Sequence, residues 1–133
     1  MQAAAAYFSA GRYADAQAQF QKTLAAGSSG DLAATAALGA ASSLEAQGKL
    51  DDAANSYRQV TSQFADSTTV LPAKFALGRI AEQQGKFTEA TSYYQEIAHN
   101  NQAGSLASEA AMRALEIKSK LPAAPKAVAP AAK

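Results

Sequence analysis

The hydrophobic positions of this chain recur at helical spacing, and the whole arrangement then recurs along the sequence. Three rows have the spacing i, i+4 and i+7: Ala16, Phe20 and Thr23; Ala53, Tyr57 and Val60; and Ala90, Tyr94 and Ile97. Residues at this spacing share one face of an α-helix. Each row therefore predicts a helix that buries a stripe of small residues beside a larger one, and the offset of 37 residues between rows predicts a repeating structure.

A glycine motif precedes each of these rows. Its copies are Gly11-Arg12-Tyr13-Ala14-Asp15-Ala16, Gly48-Lys49-Leu50-Asp51-Asp52-Ala53 and Gly85-Lys86-Phe87-Thr88-Glu89-Ala90. Glycine ends a helix at little cost because it adopts positive φ, and an acidic residue in the next first turn offsets the helix dipole. The pattern predicts seven helices, at about 2–10, 12–26, 31–47, 50–64, 70–84, 87–100 and 105–120. Asp31, Ser67 or Thr69, and Ser105 are the candidate N-caps.

Composition agrees with an all-α chain. Alanine supplies 36 of the 133 residues, and it is the strongest helix former because it loses no side-chain entropy in a helix. The predicted repeat domain covers 1–120, with units at about 1–27, 31–64 and 70–101 and a capping helix at 105–120. Residues 121–133 are rich in Ala, Pro and Lys and predict a disordered tail.

Charge and cysteine content exclude several functional classes. Twelve basic and eleven acidic residues leave a net charge of +1 without a basic block, so nucleic acid is not an expected partner. The chain has no cysteine, which excludes a disulfide framework and a thiolate site. No apolar run reaches the roughly 20 residues that cross a bilayer, so we expect no direct membrane insertion by this chain.

Each unit consists of two helices, and we call the first of them the opening helix. The first unit lacks about seven residues of its opening helix. We therefore expect the chain to be a fragment of a longer repeat protein. The segment Ala3–Phe8 would then be open to a second copy, which predicts a possible homo-oligomer through the truncated first repeat.

The three units resemble the tetratricopeptide repeat family. The matching residues are Tyr7, Gly11, Ala16 and Phe20; Leu44, Gly48, Ala53 and Tyr57; and Leu77, Gly78, Gly85, Ala90 and Tyr94. The resemblance implies a right-handed α-α superhelix of about three helix pairs plus a C-terminal capping helix, which binds proteins or peptides in a concave groove. The departures are a period longer than the usual 34 or so residues, and Lys74 and Lys118 at positions that the family fills with apolar residues.

A finer resemblance concerns the turn Phe64-Ala65-Asp66-Ser67. This turn and the long unit are similar to bacterial cell-envelope members of the family, above all the membrane-anchored, translocon-associated type. That resemblance implies a periplasmic location, or a membrane anchor with the repeats facing the periplasm. A cytoplasmic location is the alternative.

The outward face of the opening helices supplies the candidate partner-binding residues. These are Leu38, Ser42 and Glu45; Phe75, Arg79 and Glu82; and Met112 and Glu116. Leu38, Phe75 and Met112 recur every 37 residues and would either form an apolar stripe for a partner helix or an apolar segment, or pack between neighbouring helices. A peptide-carboxylate clamp needs Lys and Asn in these positions, so clamp binding is not expected.

No catalytic, cofactor-binding or metal-binding constellation is predicted. His99 is the only histidine, at the end of a predicted helix, and Asp51-Asp52 is explained as a pair at a helix start. Together with the family resemblance, the sequence therefore predicts a non-catalytic protein-protein interaction scaffold that binds a partner helix or an apolar peptide segment in the concave groove. The finer resemblance implies that this scaffold is part of a bacterial envelope assembly. The alternative is a structural module that stacks on further repeats or on a second copy.

Overall fold

A computed structural model describes residues 1–121, and all regular secondary structure in this range is helical. Seven helices follow one another: α1 Gln2–Ser9, α2 Tyr13–Ala25, α3 Gly30–Ala46, α4 Leu50–Gln63, α5 Val70–Gln83, α6 Phe87–Ala98 and α7 Ser105–Lys120. Each helix packs against the next one in the chain. This confirms the predicted all-α repeat fold. The tail predicted for residues 121–133 lies, apart from Leu121, outside the described residues.

The three glycine motifs form the same turn. Gly11, Gly48 and Gly85 have φ values of 78°, 79° and 75°. In each turn the next residue donates its N–H to the carbonyl five positions earlier, as Arg12 does to Tyr7 at 2.8 Å. This bond and the one from the glycine N–H are the Schellman pattern that closes a helix C-terminus. A side chain at positive φ would be strained, so the glycine fixes where each helix pair bends.

The predicted N-caps are only partly correct. The N-cap residues of α3, α5 and α7 are Ser29, Thr69 and Gly104, and none makes a side-chain capping bond. Asp31 and Ser105 instead lie inside the first turns of α3 and α7. In α7 the chain enters through Gly104 at φ 57°, a conformation that favours glycine.

Three hydrophobic clusters form the core, and each surrounds one of the even-numbered helices. Phe20 of α2 is buried between α1 and α3, Tyr57 of α4 between α3 and α5, and Tyr94 of α6 between α5 and α7. Because every second helix lies between two opening helices, no helix pair encloses a core by itself. Neighbouring pairs must therefore stack to bury the aromatic rows that the sequence places every 37 residues.

Two helical glycines allow close contact with these aromatics. A Cβ atom at Gly39 would lie 2.5 Å from Cε1 and Cζ of Phe20, and one at Gly78 would lie 2.8 Å from Cε1 of Tyr94. Contacts this short are repulsive, so only glycine admits the two rings at their present positions.

Candidate partner-binding groove

Residues of α1, α2, α3 and α5 line two adjoining depressions. One has a volume of about 420 Å3 and is lined by Met1, Gln2, Ala5, Phe20, Thr35, Leu38, Gly39 and Ser42. The other has a volume of about 370 Å3 and is lined by Phe8, Ser42, Glu45, Ala46, Arg79 and Gln83. Because Ser42 belongs to both, they form one surface, which we call the first-helix groove.

A charged network lies on the α5 side of this groove. Arg79 donates from Nε to one carboxylate oxygen of Glu45 at 2.7 Å and from Nη2 to the other at 2.8 Å. The Tyr57 hydroxyl donates to Glu45 Oε1 at 2.7 Å and lies 3.0 Å from the Ser42 hydroxyl. A bidentate pair of this kind fixes both side chains. The groove therefore presents a rigid, internally neutralised pair beside its apolar part.

The protonation states follow from these contacts. Burial opposes ionisation of Glu45, but hydrogen bonds from Arg79 and Tyr57 outweigh it and lower its pKa below 4.5. The hydrogen bond to Glu45 raises the pKa of Arg79 against the opposing effect of burial. Burial is the main cause that raises the pKa of Tyr57 above its ordinary value. At neutral pH the network is thus carboxylate, guanidinium and neutral phenol.

A related network lies one unit later, with a single arginine bond in place of the bidentate pair. The Tyr94 hydroxyl donates to Glu82 Oε1 at 2.9 Å, and Arg113 Nη1 lies 3.3 Å from the same oxygen. Burial, and then the bond to Glu82, raises the pKa of Tyr94. Arg113 is 34 residues after Arg79 instead of 37, so the second arginine reaches back from one helical turn earlier in α7.

The structure brings four of the eight candidate residues together. Leu38, Ser42, Glu45 and Arg79 line the first-helix groove. Glu82 belongs to the second network with Tyr94 and Arg113. Met112 and Glu116 are exposed on α7, and they do not line either depression of the groove.

Phe75 does not lie on an exposed apolar stripe. Only 6% of its surface is exposed, and its ring packs against Tyr94 at a centroid distance of 5.3 Å. Met112, at the matching position of α7, is 63% exposed. The three residues of the recurring row therefore have different environments. For Phe75 the alternative of packing between helices applies, because the neighbouring Tyr94 ring covers it.

Sequence reasoning missed several residues of the groove, among them Ala5 and Phe8 of α1. A signal for them exists in the repeat, because Ala5 stands 37 positions before Ser42 and Phe8 stands 37 positions before Glu45. Arg113 has no such signal, since the position that matches Arg79 in α7 is Glu116.

Among residues 1–121, no group of three or more His, Cys, Asp or Glu side chains is arranged to hold a metal ion. His99 lies at the end of α6, where its Nδ1 is 2.8 Å from the Gln95 carbonyl. None of the helices described in residues 1–121 has the length and apolar character needed to cross a bilayer.

Comparison with known proteins agrees with the helix-pair architecture. A family model described as tetratricopeptide repeat matches residues 1–68 and 39–108. The chain belongs to the tetratricopeptide repeat family. No curated protein and no solved structure matches it. Tetratricopeptide repeats in general mediate protein-protein interactions and are generally non-catalytic, so a protein or peptide is the class of partner for this chain.

Proposed function

We propose that the first-helix groove binds an apolar peptide segment or one face of a partner helix. The observation that carries this proposal is the depression of about 420 Å3 lined by Ala5, Phe20, Leu38 and Gly39. Apolar side chains placed there would leave water, at a gain of about 25 cal/mol per Å2 before ordering costs. The Glu45–Arg79 pair borders the apolar part and sets the orientation of the polar face of the occupant.

The test uses a substitution that fills the groove without touching the core. Ala5 is exposed and lines the depression, so Ala5→Arg adds bulk and charge where an apolar side chain would lie. Peptides selected from a displayed library against the native chain are then measured for affinity to this variant. We expect at least about a tenfold loss, which corresponds to 1.4 kcal/mol.

The matched control is Ala18→Arg, at an exposed alanine of α2 that does not line the groove. This variant should keep the affinity of the native chain. Circular dichroism and urea unfolding of both variants establish that they are folded. Equal affinities of the selected peptides for the Ala5→Arg variant and the native chain would contradict the proposal.

Self-assembly is a second candidate function, and one observation favours it. α1 buries only Ala4 among its eight residues, so most of this helix surface is open to a second copy. If assembly through the first repeat is the function, the chain sediments as a dimer, and Ala3→Arg dissociates that dimer. A monomer at every concentration tested would remove this candidate.

A bacterial envelope setting belongs to the same proposal. It is based on the resemblance of Phe64-Ala65-Asp66-Ser67 and the 37-residue period to envelope members of the family. Fractionation of cells that express the natural protein tests it. Recovery with the periplasm or inner membrane supports the setting, and recovery with the cytosol contradicts it.

A further inference from the structure

A second depression lies between α6 and α7 and shares no residue with the first-helix groove. Its volume is about 690 Å3. We call it the terminal groove and define it by Ala98 and His99 of α6 and by Ala111, Ala114, Leu115 and Lys118 of α7. Its α7 wall is mainly apolar, with Lys118 as the charged residue, and its α6 wall also contains the small polar side chains of Thr88, Thr91 and Ser92.

Each α7 residue of the terminal groove has a matching residue 37 positions earlier, in α5. The contacts of those α5 residues show what covers the corresponding surface one unit earlier. Ala111 matches Lys74, which forms an ion pair with Glu96 of α6. Leu115 matches Gly78, which packs directly against Tyr94 of α6. The face of α7 that lines the terminal groove is therefore the face that, on α5, is covered by α6.

The α6 wall of the groove leads to the same conclusion. Gln95 lines the terminal groove, and its match in the preceding unit is Arg58 of α4. Arg58 forms an ion pair with Glu89 of α6 at 3.7 Å. Both walls of the terminal groove thus continue surfaces that, one unit earlier, contact a second helix.

The face of α7 away from the core contains exposed apolar side chains. Leu115 is 65% exposed and Met112 is 63% exposed. A helix that only caps a repeat array would carry a polar outer face. Leu115 lines the depression, and an exposed leucine at a depression of this size indicates a surface for a partner.

We propose that the terminal groove binds an amphipathic helix of a partner protein, seated against α6 and α7 as α6 is seated against α4 and α5. Gly78 leaves space for the Tyr94 ring, whereas Leu115 fills the matching space. The partner helix therefore carries a small residue opposite Leu115, where α6 carries tyrosine. A carboxylate on that helix pairs with Lys118.

Two other occupants fit less well. Residues 122–133 contain Lys126 and Lys133, which would bring like charge to Lys118, and three prolines, which are incompatible with an uninterrupted helix. In a second copy, the aromatic faces of α4 and α6 are already used, because Tyr57 and Tyr94 are 1% and 0% exposed. The open helix of a second copy is α1, and its sequence contains no acidic residue that could pair with Lys118. A partner helix of complementary charge is the occupant that the groove favours.

The probe is a synthetic peptide with the sequence of residues 85–100 of this chain, which contains α6 together with Glu89 and Glu96. It is made with the native Tyr94 and with Tyr94→Ala. Both forms are titrated into the full chain and into its Leu115→Ala variant. Alanine is chosen because the matching position of the second unit is Ala41. Affinity is measured by fluorescence anisotropy, and the site is mapped by NMR chemical shifts.

We expect residue 115 to determine which of the two peptides binds more tightly. The native chain should bind the Tyr94→Ala peptide about tenfold more tightly than the tyrosine peptide, and the Leu115→Ala variant should prefer the tyrosine peptide. Lys118→Glu should weaken binding of both peptides at low salt, because it reverses the charge in the groove. Ala5→Arg should leave both affinities unchanged, which separates this site from the first-helix groove.

Four results of the peptide and assembly experiments would overturn the proposal. They are the absence of saturable binding by either peptide, affinities that do not depend on residue 115, shift changes centred on α1 and α3, and a dimer of the chain that Leu115→Glu dissociates. Contacts in NMR spectra between the Val128 methyl groups and Leu115 before peptide addition would assign the groove to the C-terminal residues of the chain, and would also overturn it.

Discussion

Glu45 is the residue that joins the second and third units on the groove side. Its carboxylate accepts from Arg79 of α5 and from Tyr57 of α4 while its own backbone belongs to α3. Side-chain exposures of 15% for Glu45 and 34% for Arg79 place the pair at the edge of the core, where solvent screening is incomplete. The pair therefore contributes more than a fully exposed ion pair and fixes the relative position of three helices.

Substitution of Glu45 by Gln should lower the free energy of unfolding by about 1–3 kcal/mol at pH 7, because Arg79 and Tyr57 lose a charged acceptor. The pKa of Glu45 is lower in the folded chain than its ordinary 4.5. Its contribution is thus complete above that value and is lost as the pH falls through the lowered pKa. Urea unfolding at neutral and acidic pH should show that native chain and variant converge in acid.

The control for this substitution is Glu116→Gln, which removes an exposed carboxylate of α7. Its effect should stay within about 0.5 kcal/mol. A difference between native chain and Glu45→Gln that does not change with pH would contradict the assigned role of the carboxylate.

Substitution of Gly39 by alanine should change the stability in the direction opposite to that expected from helix propensity. Alanine normally stabilises a helix interior by about 0.5–1 kcal/mol over glycine. Here the new Cβ would lie 2.5 Å from the Phe20 ring, so we expect Gly39→Ala to destabilise the chain by about 1–3 kcal/mol. Urea unfolding measures this, and adding Phe20→Leu should recover part of the loss. A gain in stability from Gly39→Ala alone would show that the ring moves freely.

At the scale of single elements, α7 differs from the other opening helices. It buries Ala110, Ala114 and Ile117 against the α5–α6 core, and its opposite face carries the exposed Met112 and Leu115. One helix thus has two apolar faces with different roles. The buried face holds the array together, and the exposed face lies at the terminal groove.

These two faces should respond differently to the same kind of truncation. Ile117 is 1% exposed, so Ile117→Ala should cost about 2–4 kcal/mol and increase hydrogen exchange of the α7 amides. Leu115→Ala, two positions earlier and 65% exposed, should change stability by no more than about 0.5 kcal/mol in the absence of a partner. Similar losses in urea unfolding for both variants would mean that Leu115 also supports the fold.

At the scale of the molecule, stability is distributed along a one-dimensional array. The α4 helix contacts opening helices on both sides through Tyr57, whereas α1 packs mainly on α2, and α7 mainly on α6. In such arrays each unit is stabilised chiefly by its neighbours. The ends of the described chain should therefore open before the centre.

Native-state hydrogen exchange should show this order directly. Amides of α4 and α5 should be the most protected and should exchange with a free energy close to that of global unfolding, while α1 and α7 exchange by smaller openings. Addition of the Tyr94→Ala peptide should raise protection in α7 specifically, because bound ligand stabilises the elements it contacts. Uniform protection across all seven helices would indicate one cooperative core instead.

The buried helix faces and the helix ends could be predicted from local sequence patterns. The i, i+4, i+7 rows specify which helix face is buried, and the Gly11, Gly48 and Gly85 turns specify where helices end, because both depend on interactions within a few residues. The register of 37 also located Leu38, Ser42, Glu45 and Arg79 on a common surface. The unit boundaries and the envelope setting stay predictions.

The tertiary structure decided which matching positions share an environment. Leu38, Phe75 and Met112 are equivalent in sequence, yet Phe75 is buried by Tyr94 and Met112 is exposed, because within residues 1–121 only the first of these two has the aromatic ring of a following helix against it. Position 116, which matches Arg79, is a glutamate, and Arg113 in the adjacent turn of α7 pairs with Glu82 instead. Burial and ion pairing depend on which helices lie alongside, and a repeat in the sequence cannot specify that at the end of an array.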